Sequence, residues 1–441
     1  MSDFPSITEA AQQIRARTLT PVGLLDRCLE NIRNYEDRIH AWVRVDEAGA
    51  RRTADERTRE AAKGEFHGPL HGIPLGIKDI IDVEGWPTEA GSPIRAGHVA
   101  AADAPLVAAL RRAGAVILGK TVTVEFACFD PSPTRNPWNL AHTPGGSSSG
   151  SAAALATNMC LGALGTQTGG SLVRPSTYCG VATCKPTYGT LAMEGIVPVS
   201  YHLDHPGPMA RTVADLAILL HCLTGREEFR SVPLSPPPRL GFLQAVMHDA
   251  SEGVRQVTDA ALARLRAGGA QIDVVAVPEE FGRVLAIHRR IMSVEAAAYH
   301  REQFAAPRDQ YGPMITALLD EGLEVLGVDY AAALAWQREF RKLAASLVRD
   351  FDALVMPSTD TTAPATLTTT GTPKFQAAWS VSGLPVVSIP CGVAGDGMPS
   401  AVQLIGGPNS EAWLLRVALW CEQQIGFPRG STPQRTRTSN R

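Results

Sequence analysis

Residues 143–171 read TPGGSSSGSAAALATNMCLGALGTQTGGS. Two glycine-serine clusters bracket a run of small and apolar residues, and that run predicts a helix over 149–157 and a strand over 160–165. Flexible glycine-serine linkers do not alternate with core-like segments such as AAALA and CLGALG, which argues against a linker here. Glycine lets backbone N–H groups approach a ligand closely, and a serine hydroxyl can attack one. The stretch therefore reads as one strand-helix unit of a larger α/β layer, with chemistry at both ends.

The same rhythm extends outward. Strands are predicted over 40–45, 73–77, 115–118, 240–243, 272–277, 353–356, 386–389 and 401–405. Helices are predicted over 46–63, 105–113, 212–223, 251–267, 279–305, 329–349 and 410–424. Ser6 with Glu9 forms a candidate capping box, and Thr20-Pro21 a candidate N-cap and first helical residue. Repeated β-α alternation predicts one α/β domain with a central mixed, largely parallel sheet and helices on both faces. The proline-rich break at 231–240 could divide two domains, but the pattern is the same on either side and favours one sheet. The expected organisation is an N-terminal helical segment over 1–65, a catalytic domain over 66–428 and a disordered polar tail over 429–441.

Composition narrows the function. A net charge of −3 over 441 residues gives no electrostatic footprint for nucleic acid or an anionic membrane. No apolar run approaches membrane-spanning length, and the N-terminus lacks a secretory pattern. The eight cysteines show no CxxC pair and no zinc-ligand spacing. Reduced, structural thiols and a cytoplasmic location are the expectation. Lysine is scarce, six against 35 arginines, so Lys78 in GIPLGIKDIID stands out among Ile and Leu. Burial there would depress its pKa and suit it to act as a base, although a buried ion pair with Asp79 or Asp82 is the competing reading.

Gly146 to Gly150 also matches G-x-S-x-G, with Ser148 as nucleophile of an α/β-hydrolase-like esterase. The lead-in TRNPWNLAHTPGG reads as loop rather than strand, which counts against that elbow. Neither G-x-x-x-x-G-K-[ST] nor G-x-G-x-x-G spacing occurs, so phosphate cradling is not indicated.

Three segments taken together carry a stronger signal. GIPLGIKDIIDVEG, NPWNLAHTPGGSSSGSAAALA and GTQTGGSLVRPSTYCGVATCKPTYG, followed by GLPVVSIPCG and SAVQLIGG, resemble the amidase signature family in order and interval. Within it, GTQTGGSLVRP is similar to bacterial malonamidase-like amidases. The resemblance implies a Ser–cis-Ser–Lys triad: Ser171 as nucleophile, Ser147 as the bridging serine after a cis bond from Gly146, and Lys78 as the base. It implies an oxyanion hole from the backbone of Thr168, Gly169, Gly170 and Ser171, with Ser148 in support and Lys185 structural. It also implies a small-molecule amide substrate, no metal or organic cofactor, and a possible homodimer. An amidotransferase A-type subunit for aminoacyl-tRNA synthesis is the alternative within the family. Two departures mark the second cluster. Gln167 stands where the commoner pattern has Asp, and Arg174 follows Ser171 by three residues rather than two. Both are candidate substrate contacts, as are Phe129 and Trp379, since the pocket is expected from loops 121–135 and 357–382, with Phe126 and Phe375 also offered for its aromatic wall.

Overall fold

A computed structural model describes residues 4–230, 233–304 and 308–428. Both predicted helix starts are present. Ser6 Oγ accepts from Glu9 N–H at 3.1 Å while the Glu9 carboxylate accepts from Ser6 N–H at 2.7 Å, opening the helix Ile7–Arg15. Thr20 Oγ1 accepts from Gly23 N–H at 3.0 Å at the head of Pro21–Ile39. Each such cap stabilises its helix by about 1 kcal/mol. Ile7, Leu24 and Leu25 turn inward and are fully buried, and Thr8 is tied to Asp215 of the helix Val213–Thr224 at 2.9 Å. The N-terminal helices thereby join the main core.

Eleven strands form one sheet: β1 (Trp42–Val45), β2 (Pro74–Lys78), β3 (Val116–Thr121), β4 (Gly162–Gln167), β5 (Ala182–Lys185), β6 (His205–Ala210), β7 (Arg239–Phe242), β8 (Gln271–Val274), β9 (Ala353–Pro357), β10 (Val386–Val393) and β11 (Pro399–Ile405). Their order is β1-β3-β2-β4-β6-β5-β10-β11-β9-β7-β8. Every residue of β2, β3, β4, β6, β9 and β11 is buried. Successive strand residues face opposite sides, so helices must cover both faces. Strands from both sides of the 231–240 break share this sheet, as the sequence pattern favoured.

The expectation of a largely parallel sheet is corrected. Parallel pairing is confined to β3/β2/β4 and to β9/β7/β8. The run from β4 through β6, β5, β10 and β11 to β9 is antiparallel, as is β1 on β3. The reason lies in the connections. β5 to β6 and β10 to β11 are joined by loops without a crossover helix, and strands joined that way return antiparallel.

β2 and β4 run parallel side by side, so their carboxyl ends reach the same edge of the sheet. That edge carries Lys78, Thr166 and Gln167, the usual location for a site in an open α/β sheet. The expected tail over 429–441 lies outside the described residues. All eight cysteines are free thiols. Among the described residues no helix is long and apolar enough to cross a membrane.

Candidate active site

Strand alternation separates the two charges at the end of β2. Asp79 goes to Lys120, whose Nζ lies 2.9 Å from its Oδ1, both side chains being buried. Lys78 goes to the other side, where its Nζ is 2.6 Å from Ser147 Oγ and 2.8 Å from Thr166 Oγ1. The competing reading of Lys78 as half of an ion pair with Asp79 or Asp82 is therefore overturned. Complete burial pulls the Lys78 ammonium down to about 7, with Asp204 and Cys128 opposing that shift. A depression of this size leaves much of the amine neutral near physiological pH.

The first glycine-serine cluster delivers Ser147. Gly145 has φ +78, and a Cβ there would lie 3.0 Å from Pro175 Cα, so the turn favours glycine on two counts. The Gly146–Ser147 peptide is cis. Ser148 faces the sheet instead: it is fully buried, donates to Thr166 O at 3.3 Å and accepts from Thr166 N–H at 3.3 Å. Its hydroxyl is committed to strand β4, and no strand leads into 143–148. The esterase-elbow reading fails on both points.

The second cluster follows β4 directly. Gly169 and Gly170 are needed for close packing: a Cβ on Gly170 would meet Gln376 Oε1 at 2.6 Å, and one on Gly169 would meet His288 Cε1 at 3.2 Å. Thr168, Gly169, Gly170 and Ser171 all line a small cavity that also holds Ser147, Phe129 and Arg174. Among the described residues none accepts a hydrogen bond from the N–H groups of these four residues. Four free donors at one turn can receive a developing oxyanion.

Gln167 is corrected from substrate contact to helix cap. Its Oε1 accepts from Leu172 N–H and Val173 N–H, both at 3.1 Å, at the start of the helix Val173–Cys179. Its Nε2 donates to Ser380 Oγ at 3.1 Å. An aspartate could offer oxygen to the same N–H groups, but not the amide donor that reaches Ser380. Trp379 is also corrected. It is buried in the core against Phe281 at 5.8 Å and takes no part in the cavity wall. Phe126 and Phe375 are core residues in the same way, Phe126 packing on His300 and Tyr311. Lys185 donates to Leu384 O at 2.7 Å and Pro186 O at 3.2 Å, a backbone-bracing role away from the cavity.

Phe129 does line the cavity, with the Arg289 guanidinium 5.3 Å over its ring. Arg174 reaches it too. Its Nη2 donates to Gly146 O at 2.8 Å and Thr370 Oγ1 at 3.2 Å, whereas its buried Nε has no partner. It is 4% exposed and sits in none of the ion pairs among the described residues. Val124, Thr370 and Pro373 come from the predicted pocket loops, but His288 and Met292 come from the helix Val284–Phe304. No motif marks those two, because only tertiary packing brings that helix to the site.

The Asp204 carboxyl is held nearby by Thr168 Oγ1 at 2.6 Å, Val199 N–H at 2.7 Å and Ser200 N–H at 3.0 Å. Burial raises it to about 6 despite these donors. His288 Nε2–H donates to Thr168 O at 3.1 Å, and burial lowers its imidazole to about 4, so it is neutral.

Known proteins resemble the chain over nearly its whole length. The chain is 34% identical to an amidase of Pseudomonas putida, over 95% of both chains. It is 33% identical to the A-type subunit of the glutamyl-tRNA(Gln) amidotransferase of Chloroflexus aggregans, over 94% of this chain and 95% of that one. The native peptide amidase of Stenotrophomonas maltophilia superposes with a TM-score of 0.84 at 29% identity, covering 98% and 99% of the two chains. The sequence profile of the Amidase family matches residues 23–415, and with relatives aligned over nearly the whole chain, the chain belongs to that family of hydrolases acting on C–N bonds.

Proposed function

We propose that this chain hydrolyses a small linear amide through an acyl-enzyme on Ser171, with Ser147 and Lys78 as its proton relay. The observation that carries the reading is the 2.6 Å contact between Lys78 Nζ and Ser147 Oγ beside a cavity that also holds Ser171. Ser171 Oγ attacks the amide carbonyl carbon. Its proton passes to Ser147 as the Ser147 proton passes to neutral Lys78. The oxyanion is received by the free N–H groups of Thr168 to Ser171. Collapse breaks the C–N bond, and the relay runs backwards to protonate the departing nitrogen. Water then attacks the acyl-enzyme by the same route, giving a carboxylic acid and regenerating Ser171.

This scheme fixes a pH dependence. The active form of Lys78 is the neutral amine, so kcat/KM is expected to rise with pH through about 7 and then level. A profile that falls across that window would contradict the assignment of Lys78 as base.

Arg174 points to the substrate. Arg174 is buried on the cavity with no carboxylate at ion-pair distance, and a substrate carboxylate there would supply one. Ammonia release by the purified chain from succinamate against butyramide, followed directly, tests both points. Succinamate is expected to be preferred, and Arg174→Gln to cut that preference by roughly 10–150-fold, the worth of a charged hydrogen bond. Equal use of both amides would remove the carboxylate reading. Amide hydrolysis appearing only after the other components of an amidotransferase are added would favour the amidotransferase reading.

A further inference from the structure

The β4–β6 ladder stops one step short of the oxyanion turn. Gln167 opposite His205 is its last pair, so the next residues to face one another are Thr168 and Asp204. Here a side-chain bond holds the two chains together, with Thr168 Oγ1 donating to Asp204 Oδ1 at 2.6 Å. The other carboxylate oxygen accepts from Val199 N–H and Ser200 N–H, fixing Asp204 in its own loop. From the opposite side His288 Nε2–H donates to Thr168 O at 3.1 Å. Thr168 is thus gripped at its hydroxyl and its carbonyl while its N–H stays free.

The geometry of a trans peptide turns this grip into aim. C=O and N–H of one peptide point in opposite directions, so anchoring the Thr168 carbonyl sets the direction of Gly169 N–H. The following peptide is treated the same way: Ser380 Oγ donates to Gly169 O at 3.1 Å, setting Gly170 N–H. Glu295, two turns beyond His288 on the same helix, accepts from Ser200 Oγ and from His202 N–H at 3.1 Å. The loop carrying Asp204 and the helix carrying His288 are thereby locked to each other. Thr168, Asp204 and His288 are all buried, which shields these bonds from competing water.

We propose that Asp204 and His288 are positioning residues that clamp Thr168 from both sides and so aim the free N–H groups of the oxyanion turn. The proposal rests on the reading of Ser171 as nucleophile. It explains how a turn with four unpaired N–H groups is held rigid: every restraint falls on its carbonyls and hydroxyl.

Labelling by a fluorophosphonate tests it without knowledge of the substrate, because the phosphoryl oxygen takes the place of the oxyanion. Thr168→Val, Asp204→Ala and His288→Ala are each expected to lower the maximal labelling rate kinact by roughly 10–100-fold, the scale of a misplaced catalytic group. For Asp204→Ala, whose side chain does not line the cavity, the probe's KI should stay within about threefold, since ground-state binding does not use the clamp. Thr168→Val with Asp204→Ala should lose far less than the product of the two single losses, since both remove the Thr168–Asp204 bond. His288→Gln, which keeps an N–H donor, should recover most of kinact. Nearly isosteric Thr168→Val decides the matter if His288→Ala does not fold. Unchanged kinact in Thr168→Val, a loss confined to KI, or a His288→Gln as slow as His288→Ala overturns the clamp. Labelling that persists in Ser171→Ala overturns the nucleophile assignment instead, a different failure from any of these.

Discussion

Ser171→Ala is expected to lower amide turnover by roughly 10⁴–10⁶-fold, the scale seen when the nucleophile of a serine hydrolase is removed. Within the two clusters, Ser147 is bonded to Lys78, Ser148 to strand β4, Ser149 to Ser132 at 2.8 Å and Ser151 to Leu164 O at 3.1 Å. Ser171 alone combines a place on the cavity with the free N–H groups of its own turn. The alanine variant keeps those donors, so substrate binding should survive and KM should move little. Quenched-reaction mass spectrometry should show an acyl adduct on the Ser171 peptide of the wild type and none on the variant. A Ser171→Ala protein retaining a tenth of wild-type turnover would end the acyl-enzyme scheme.

Lys78→Met should produce two large effects of opposite sign. Loss of the terminal base is expected to lower kcat by about 10²–10⁴-fold, the usual contribution of a positioned general base. Stability should rise. Lys78 is buried without a carboxylate in direct contact, the adjacent Asp79 being engaged by Lys120, so its ammonium is held at a penalty. Its pKa falls from 10.5 in the open chain to about 7 when folded, so between those values the unfolded chain holds the extra proton. Stability therefore climbs with pH through that window, and the penalty is fully present below about 7. Methionine fills similar volume without charge and so removes the desolvation penalty of the ammonium. Thermal melts from pH 7 to 10 should show a higher midpoint and a shallower rise with pH for Lys78→Met. The remaining slope belongs partly to Lys185, which burial also lowers to about 7. A variant less stable than wild type would mean that the bonds to Ser147 and Thr166 outweigh desolvation.

Local chemistry was legible and tertiary pairing was not. The Ser6 and Thr20 caps follow from residue types at fixed offsets, and both are formed. Lys78, Ser147 and the 168–171 turn sit in motifs that resemble a known family, and it is that resemblance which implies a shared site. Strand direction depends on which strands become neighbours, information that no window of sequence holds. β6 escaped notice because HPGPMA carries Pro206 and Pro208, residues that normally argue against a strand within a sheet. Gln167 lies close to Ser171 in sequence yet turns toward a helix start. His288 and Met292 lie far from the motif in sequence, on a helix whose pattern announces packing only. Trp379 shows the converse: a large aromatic in the right loop region is more readily a core residue than a wall.

The position of β10 and β11 has a consequence for biosynthesis. These strands, residues 386–405 of 441, sit between β5 and β9 in the middle of the sheet. Until the ribosome has released them, the nascent chain carries β5 with one long side unpaired, an open template for pairing with another nascent chain. The cavity is equally incomplete, since Thr370 and Pro373 arrive only shortly before. Truncation upstream of residue 386 should yield insoluble protein rather than a smaller enzyme. Until β10 and β11 have emerged, that edge is exposed to the same misassembly.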